Sequence, residues 1–141
     1  QAKCFVEKIK NSMKTLRGKT VGVLGLAFKP DTDDMRSAPS IPIIQMLQKE
    51  GVRVKAYDPQ AASKASSVLR DVDYVNTPYE VGQGAHAIAV LTEWSEFLNL
   101  DWERLKKPMK GRFFFDGRNM FSPVEMKKRG FHYFSIGRPS A

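Results

Sequence analysis

The chain has 141 residues, 42% of them hydrophobic, which is enough for one core and short for two. Its net charge of +8 favours phosphorylated or polyanionic partners, while a single cysteine excludes an internal disulfide and, with only two histidines, argues against a structural zinc site. It has neither a run of about 18 apolar residues nor a basic leader, so no membrane span or secretory signal is expected, and a reducing cytoplasm is the simplest setting. Because Gln1 is not a natural start, the chain is expected to be a piece of a longer protein. Lys and Arg are scattered, with no zinc-finger spacing or aromatic RNA-binding signature, which makes nucleic acid a weak candidate partner.

The first segment carries Phe5, Ile9, Met13 and Leu16 at helical spacing and stops at Gly18, predicting an amphipathic helix ahead of the domain. Its stripe packs either on this domain or on something else. Cys4, with no histidine near it in sequence, reads as an inert packed thiol.

Lys19 to Phe28 is a continuous apolar run without polar alternation, as in a strand buried on both faces of a parallel sheet. A loop, AFKPDTDDMRS, then sets Lys29 and Arg36 between this strand and a helix with Ser37 and Ser40 as cap candidates, Ile43, Ile44 and Leu47 on one face, and Gly51 as its stop. A ligand over the strand end would meet backbone N–H groups, a helix start and two cations, which together suit a diphosphate. The plain alternative is a pair of solvated surface charges. Asp31, Asp33 and Asp34 suggest a metal or acid–base cluster, but beside two cations the preferred role is to balance charge and shape turns.

A dinucleotide fingerprint needs G-x-G-x-x-G after the first strand. Here Gly22 and Gly25 fall inside the strand and AFKP follows, so the usual Rossmann cradle for NAD is not expected. In VRVKAYDP, Val52, Val54 and Ala56 alternate with Arg53, Lys55 and Tyr57, predicting a strand away from the sheet centre. Asp58 ends it where a ribose-binding acid would sit, but before Pro59 a turn or cap role is preferred.

AASKASSVLR reads as a weak helix or loop, VDYVNT as a short strand, and TPYEVGQGA as a helix from Thr77 with Pro78 in its first turn. HAIAVLTEW is a second buried strand, opened by His86. SEFLNLDWERLKKPM is helical in pattern, with Phe97, Leu98, Trp102 and Leu105 facing inward. GRFFFDGRN is an aromatic strand and turn, with Arg118 just past its end as a further anion ligand and Asp116 placed to orient the guanidinium; an ordinary Asp-Gly turn with a solvated arginine is the alternative. A last helix from Ser122 to Gly130 leads to the strand FHYFSIG, which holds His132; both histidines read as structural. The alternation predicts an α/β fold: a Rossmann-like, doubly wound, mainly parallel sheet with helices on both faces. Right-handed crossovers put the strand ends on one side, so Lys29, Arg36 and Arg118 are expected on one rim. No nucleophile and base are evident.

The ordered set GLAFKPDTDDMRSAPS, YDP at Tyr57 to Pro59, LTEWSEF at Leu91 to Phe97 and FDGRN at Phe115 to Asn119 resembles the carboxyl-terminal domain of the UDP-glucose/GDP-mannose dehydrogenase family. The similarity runs from about Gly18 to Arg138, and its wording is most like the branch that oxidises UDP-glucose. The resemblance implies oxidation of the UDP-glucose C6 hydroxymethyl to a carboxylate by two hydride transfers to NAD. It also implies an amino-terminal NAD-binding half, not in this chain, that carries the catalytic cysteine; no catalytic residue is expected here. Phe28, Lys29 and Arg118 would then contact the UDP-sugar, and Arg36 would reach toward NAD. Residues 1–17 resemble the end of the connecting helix around which family members form homodimers, and 18–141 the UDP-sugar-binding domain. Relatives acting on UDP-N-acetylmannosamine or GDP-mannose are the alternative, and a non-catalytic anion- or nucleic-acid-binding module the alternative of another class. Ser37 departs from the pattern, since relatives often place an acid after the arginine.

Overall fold

The computed structural model describes residues 1–136. The expected end of the last strand at Gly137, the similarity to Arg138 and the domain end at residue 141 lie outside the described residues.

Six parallel strands form one sheet in the order β3-β2-β1-β4-β5-β6. They are β1 (Thr20–Leu24), β2 (Arg53–Tyr57), β3 (Val72–Tyr74), β4 (Ala87–Val90), β5 (Phe113–Asp116) and β6 (His132–Ser135). Among the described residues there are five α-helices: α1 (Ala2–Met13), which precedes β1, and α2 (Ser40–Lys49), α3 (Ala62–Ser66), α4 (Trp102–Lys106) and α5 (Pro123–Lys128) between strands. Side chains alternate across each strand, so two separate cores form. Val21, Val23, Val54, Ala56, Ala87, Ala89 and Phe115 pack under α1, α2 and α3. Leu24, Ile88, Val90 and Phe114 pack under α4, α5 and two 3-10 turns, Pro78–Gly82 and Ser95–Asn99, on the other face. This is the doubly wound sheet expected from the alternating pattern. No helix among the described residues is long and apolar enough to cross a membrane.

The open question about α1 is answered by packing: Phe5, Val6, Ile9 and Met13 are buried in the core with α2, and Leu16 joins them beyond the helix end. Each such side chain contributes about 1.5–3 kcal/mol when fully buried. Cys4 precedes Phe5 on the helix, turns away from that stripe and is exposed, so it is not the packed thiol expected.

Several segments depart from their sequence pattern: the helix expected from Thr77 is a short 3-10 turn, Pro78–Gly82, and the strand expected over 86–94 ends at Val90. The long helix expected over 95–109 divides into a 3-10 turn, Ser95–Asn99, and α4, because Asp101 takes an extended backbone and its carboxylate accepts the Arg104 N–H, starting a new helix. Phe97, Trp102 and Leu105 are buried as expected, but the break leaves Leu98 51% exposed. The run from Lys19 to Phe28 stops being a strand at Leu24, since Gly25 sits at φ 96° and turns the chain out of the sheet.

Candidate functional site

β1 and β4 are neighbours from which the sheet order runs in opposite directions, and the crevice outside their carboxyl ends is where open α/β sheets hold ligands. Four loops meet this rim, following β1, β2, β4 and β5. Their polar side chains are spent largely on shaping backbone.

In the loop after β1, Gly25 is followed by two buried residues, Leu26 and Ala27. Their N–H groups both donate to Asp58 Oδ2, at 2.7 and 3.0 Å. The other Asp58 oxygen accepts the N–H groups of Gln60 and Ala61 at 2.9 and 2.8 Å, which is the turn-and-cap role expected of it. Trp94 Nε1 donates to Oδ2 as well, at 3.2 Å. The Leu26 carbonyl accepts from Ser40 Oγ at 2.6 Å and the Ala27 carbonyl from Thr92 Oγ1 at 2.7 Å. Ser40 therefore does not cap α2 with its side chain, and Ser37, in a left-handed conformation at φ 57°, does not either.

Phe28 and Lys29 follow, and both are exposed, Phe28 by 44%. The Phe28 N–H donates to the Asp34 carbonyl at 2.8 Å, closing the loop on itself. Asp34 Oδ1 accepts from the Arg36 N–H and Nε, at 2.9 and 3.0 Å, and Oδ2 from Nη2 at 3.0 Å. The Arg36 hydrogen bonds pull the Asp34 carboxyl down to about 2, while the Arg36 side chain stays 91% exposed. Asp33 pairs with Lys64 at 3.2 Å. Two of the three loop aspartates thus balance cations, as preferred from the sequence. Lys29 has no carboxylate partner among the described residues.

Arg118 lies past β5, but Asp116 does not orient its guanidinium. The Asp116 carboxylate is buried and shapes the turn instead: Oδ1 accepts the Arg118 N–H at 3.0 Å, and Oδ2 accepts the Phe121 N–H at 2.9 Å and the Tyr133 hydroxyl at 2.6 Å. The guanidinium is held by Glu93, from the loop after β4, through a two-pronged pair at 3.0 and 3.1 Å. Burial is the largest single influence and works to raise the Glu93 carboxyl, but the Arg118 hydrogen bonds, a hydrogen bond from its own backbone and the Arg118 charge together outweigh it, and the group lies below its ordinary value. Thr92 and Glu93 lie in the LTEWSEF run, two and three residues past the end of β4, and Ser40 reads only as a cap, so nothing local signals the partners these three take.

All four site residues singled out from sequence, Phe28, Lys29, Arg36 and Arg118, lie on loops at the carboxyl ends of β1 and β5. His86 is at the opposite end of the sheet, where its Nδ1 accepts the Thr20 N–H at 3.1 Å. His132 is on the edge strand beside the Phe113 ring. The usual dinucleotide cradle does not fit here: the N–H groups that would receive a pyrophosphate just past β1 are those of Leu26 and Ala27, and Asp58 already occupies them.

Comparison with known proteins places this geometry. Residues 22–123 match the UDP binding domain of the UDP-glucose/GDP-mannose dehydrogenase family. A UDP-glucose 6-dehydrogenase of Rhizobium meliloti is 46% identical over 124 residues, 88% of this chain and 28% of the relative. A solved UDP-glucose dehydrogenase from Pyrobaculum islandicum is 36% identical with a TM-score of 0.73, over 83% of this chain and 26% of that one. The NDP-N-acetyl-D-galactosaminuronic acid dehydrogenase of Methanosarcina mazei superposes with a TM-score of 0.80 at 31% identity, over 97% of this chain and 28% of that one. The chain therefore spans under a third of the length of these relatives. With the motifs on the rim, the doubly wound sheet and the matched profile in agreement, the chain belongs to the UDP-glucose/GDP-mannose dehydrogenase family and corresponds to its UDP binding domain.

Proposed function

We propose that this chain is the nucleotide-sugar-binding domain of a UDP-glucose 6-dehydrogenase, in which UDP-glucose and two NAD give UDP-glucuronate and two NADH. The observation that carries this reading is the exposed Phe28–Lys29 pair at the end of the central strand, an apolar ring beside an ammonium without a carboxylate partner among the described residues. A flat apolar surface next to a cation suits a nucleotide sugar, and Lys29 binds a phosphate as a point charge. Arg118, aligned by Glu93, offers the ligand a guanidinium in a defined orientation. Arg36, projecting from the far end of the same loop, faces NAD held mainly by the other half of the protein. NAD supplies the hydride acceptor; the residues of this chain bind and orient the substrate.

In this reading residues 1–17 end the helix that joins the two halves and around which a homodimer forms, and 18–141 make the domain. The exposed, unpaired Cys4 suits a reducing cytoplasm. The test is calorimetric titration of the full-length protein with UDP-glucose, UDP and GDP at low salt, repeated with Arg118→Ala. Saturable binding that prefers uridine and weakens in the variant is expected. Losing the Lys29 contact costs about 2 kcal/mol, or more than tenfold in UDP affinity, in Lys29→Ala. Tighter GDP than UDP binding would move the assignment to a GDP-sugar, and salt-steep binding of any polyanion without nucleotide preference would refute it. The isolated chain is expected to reduce no NAD with UDP-glucose.

A further inference from the structure

Among the described residues the buried polar side chains are Ser40, Asp58, Thr92, Asp116 and Ser135, and the first three converge on the same two residues. Leu26 and Ala27 have four backbone polar groups, and all four are taken: both N–H groups by Asp58, one carbonyl by Ser40 and the other by Thr92. The three side chains come from three different elements, following β2, opening α2 and following β4. Irregular buried backbone needs partners wherever it occurs. Here, however, the held segment ends at the bond leading to Phe28 and Lys29, and the loop that leaves it is closed again by the Phe28–Asp34 bond.

We propose that Ser40, Asp58 and Thr92 are positioning residues for nucleotide-sugar binding, fixing the point and direction at which Phe28 and Lys29 leave the sheet. This rests on the reading of Lys29 as a ligand for the nucleotide sugar. The clamp acts on the ligand through Lys29 without touching it, so its loss lowers affinity through the Lys29 contact. A residue that merely stabilises the fold would lower the melting temperature and leave UDP affinity of the folded protein unchanged.

The experiment measures UDP binding to the full-length protein by calorimetry in a double-mutant cycle of Thr92→Val with Lys29→Ala. Thr92→Val removes the hydroxyl donor while keeping the side-chain shape, and is expected to weaken UDP about tenfold, the scale of one misplaced charge-assisted hydrogen bond. Thr92→Ser, which keeps the donor, is expected to restore affinity to within about twofold. In the Lys29→Ala background, Thr92→Val is expected to cost less than about a further twofold. Ser40→Ala gives the same test at the Leu26 carbonyl if Thr92→Val does not fold. Unchanged UDP affinity in both Thr92→Val and Ser40→Ala, or full additivity with Lys29→Ala, would overturn the positioning role while wild-type binding left the nucleotide-sugar reading intact. Failure of the wild-type protein to bind UDP would overturn both.

Discussion

Replacing Gly25 by alanine tests whether the turn out of β1 is as tightly built as its geometry implies. A Cβ on Gly25 would lie 2.5 Å from Thr92 Cβ, 2.6 Å from Thr92 N and 2.8 Å from Thr92 Oγ1, and the residue sits at φ 96°. The left-handed backbone costs alanine about 1–2 kcal/mol, and forcing strand ends apart in a packed core adds about 1–3 kcal/mol. Gly84 provides the control, because it also has positive φ, 69°, but nothing lies within 4 Å of its Cβ position. Gly84→Ala therefore carries the backbone cost without the steric one. In urea unfolding, Gly25→Ala is expected to lower stability by about 3 kcal/mol or more, a fall of roughly 1.5 M in the midpoint for a slope near 2 kcal/mol/M. Gly84→Ala should lose about half that or less. Equal midpoints for the two variants would refute the close approach of Gly25 to Thr92 and, with it, the rigidity ascribed to the loop that carries Lys29.

Asp34 should titrate near 2 by carboxyl-carbon NMR, and in Arg36→Ala it should return toward 3.8, since Arg36 hydrogen bonds are the largest cause of its depression. An unchanged midpoint in that variant would show that the pair does not form. His86 has its pKa lowered from 6.5 by burial and by the charges of Lys19 and Lys110. Its folded value lies below its unfolded one, so its contribution to stability is complete above 6.5 and is lost as pH falls through the folded pKa. His86→Gln should flatten that slope in unfolding curves measured from pH 7 down to 5, and an unaltered slope would assign it to other groups. Tyr133→Phe removes the hydroxyl that donates to buried Asp116 at 2.6 Å, and should cost about 1–3 kcal/mol in urea unfolding. A loss under about 0.5 kcal/mol would mean that Asp116 is satisfied without it.

Much of this protein is determined by its sequence alone. The apolar runs that become β1 and β4, the alternation in β2 and the stripe of α1 follow from which side chains must leave water, and the recurrence of strand and helix patterns dictates a doubly wound sheet. Lys29, Arg36 and Arg118 were legible as rim residues because right-handed crossovers leave all parallel strand ends on one side. The local pattern failed where a distant group overrode it. Leu26 to Phe28 look like strand, but a carboxylate 31 and 32 residues away captures the Ala27 and Leu26 N–H groups and a glycine turns the chain outward. Ser40 looks like a cap, yet its hydroxyl donates to the Leu26 carbonyl just past the central strand β1. The choice of Glu93 over Asp116 as the partner of Arg118 was likewise decided by packing. Asp116 is drawn into the core by Tyr133 and the Phe121 N–H, while the adjacent strand brings Glu93 to the guanidinium. Side-chain hydrogen bonds between segments far apart in the chain have no local signature, so only the tertiary structure could assign them.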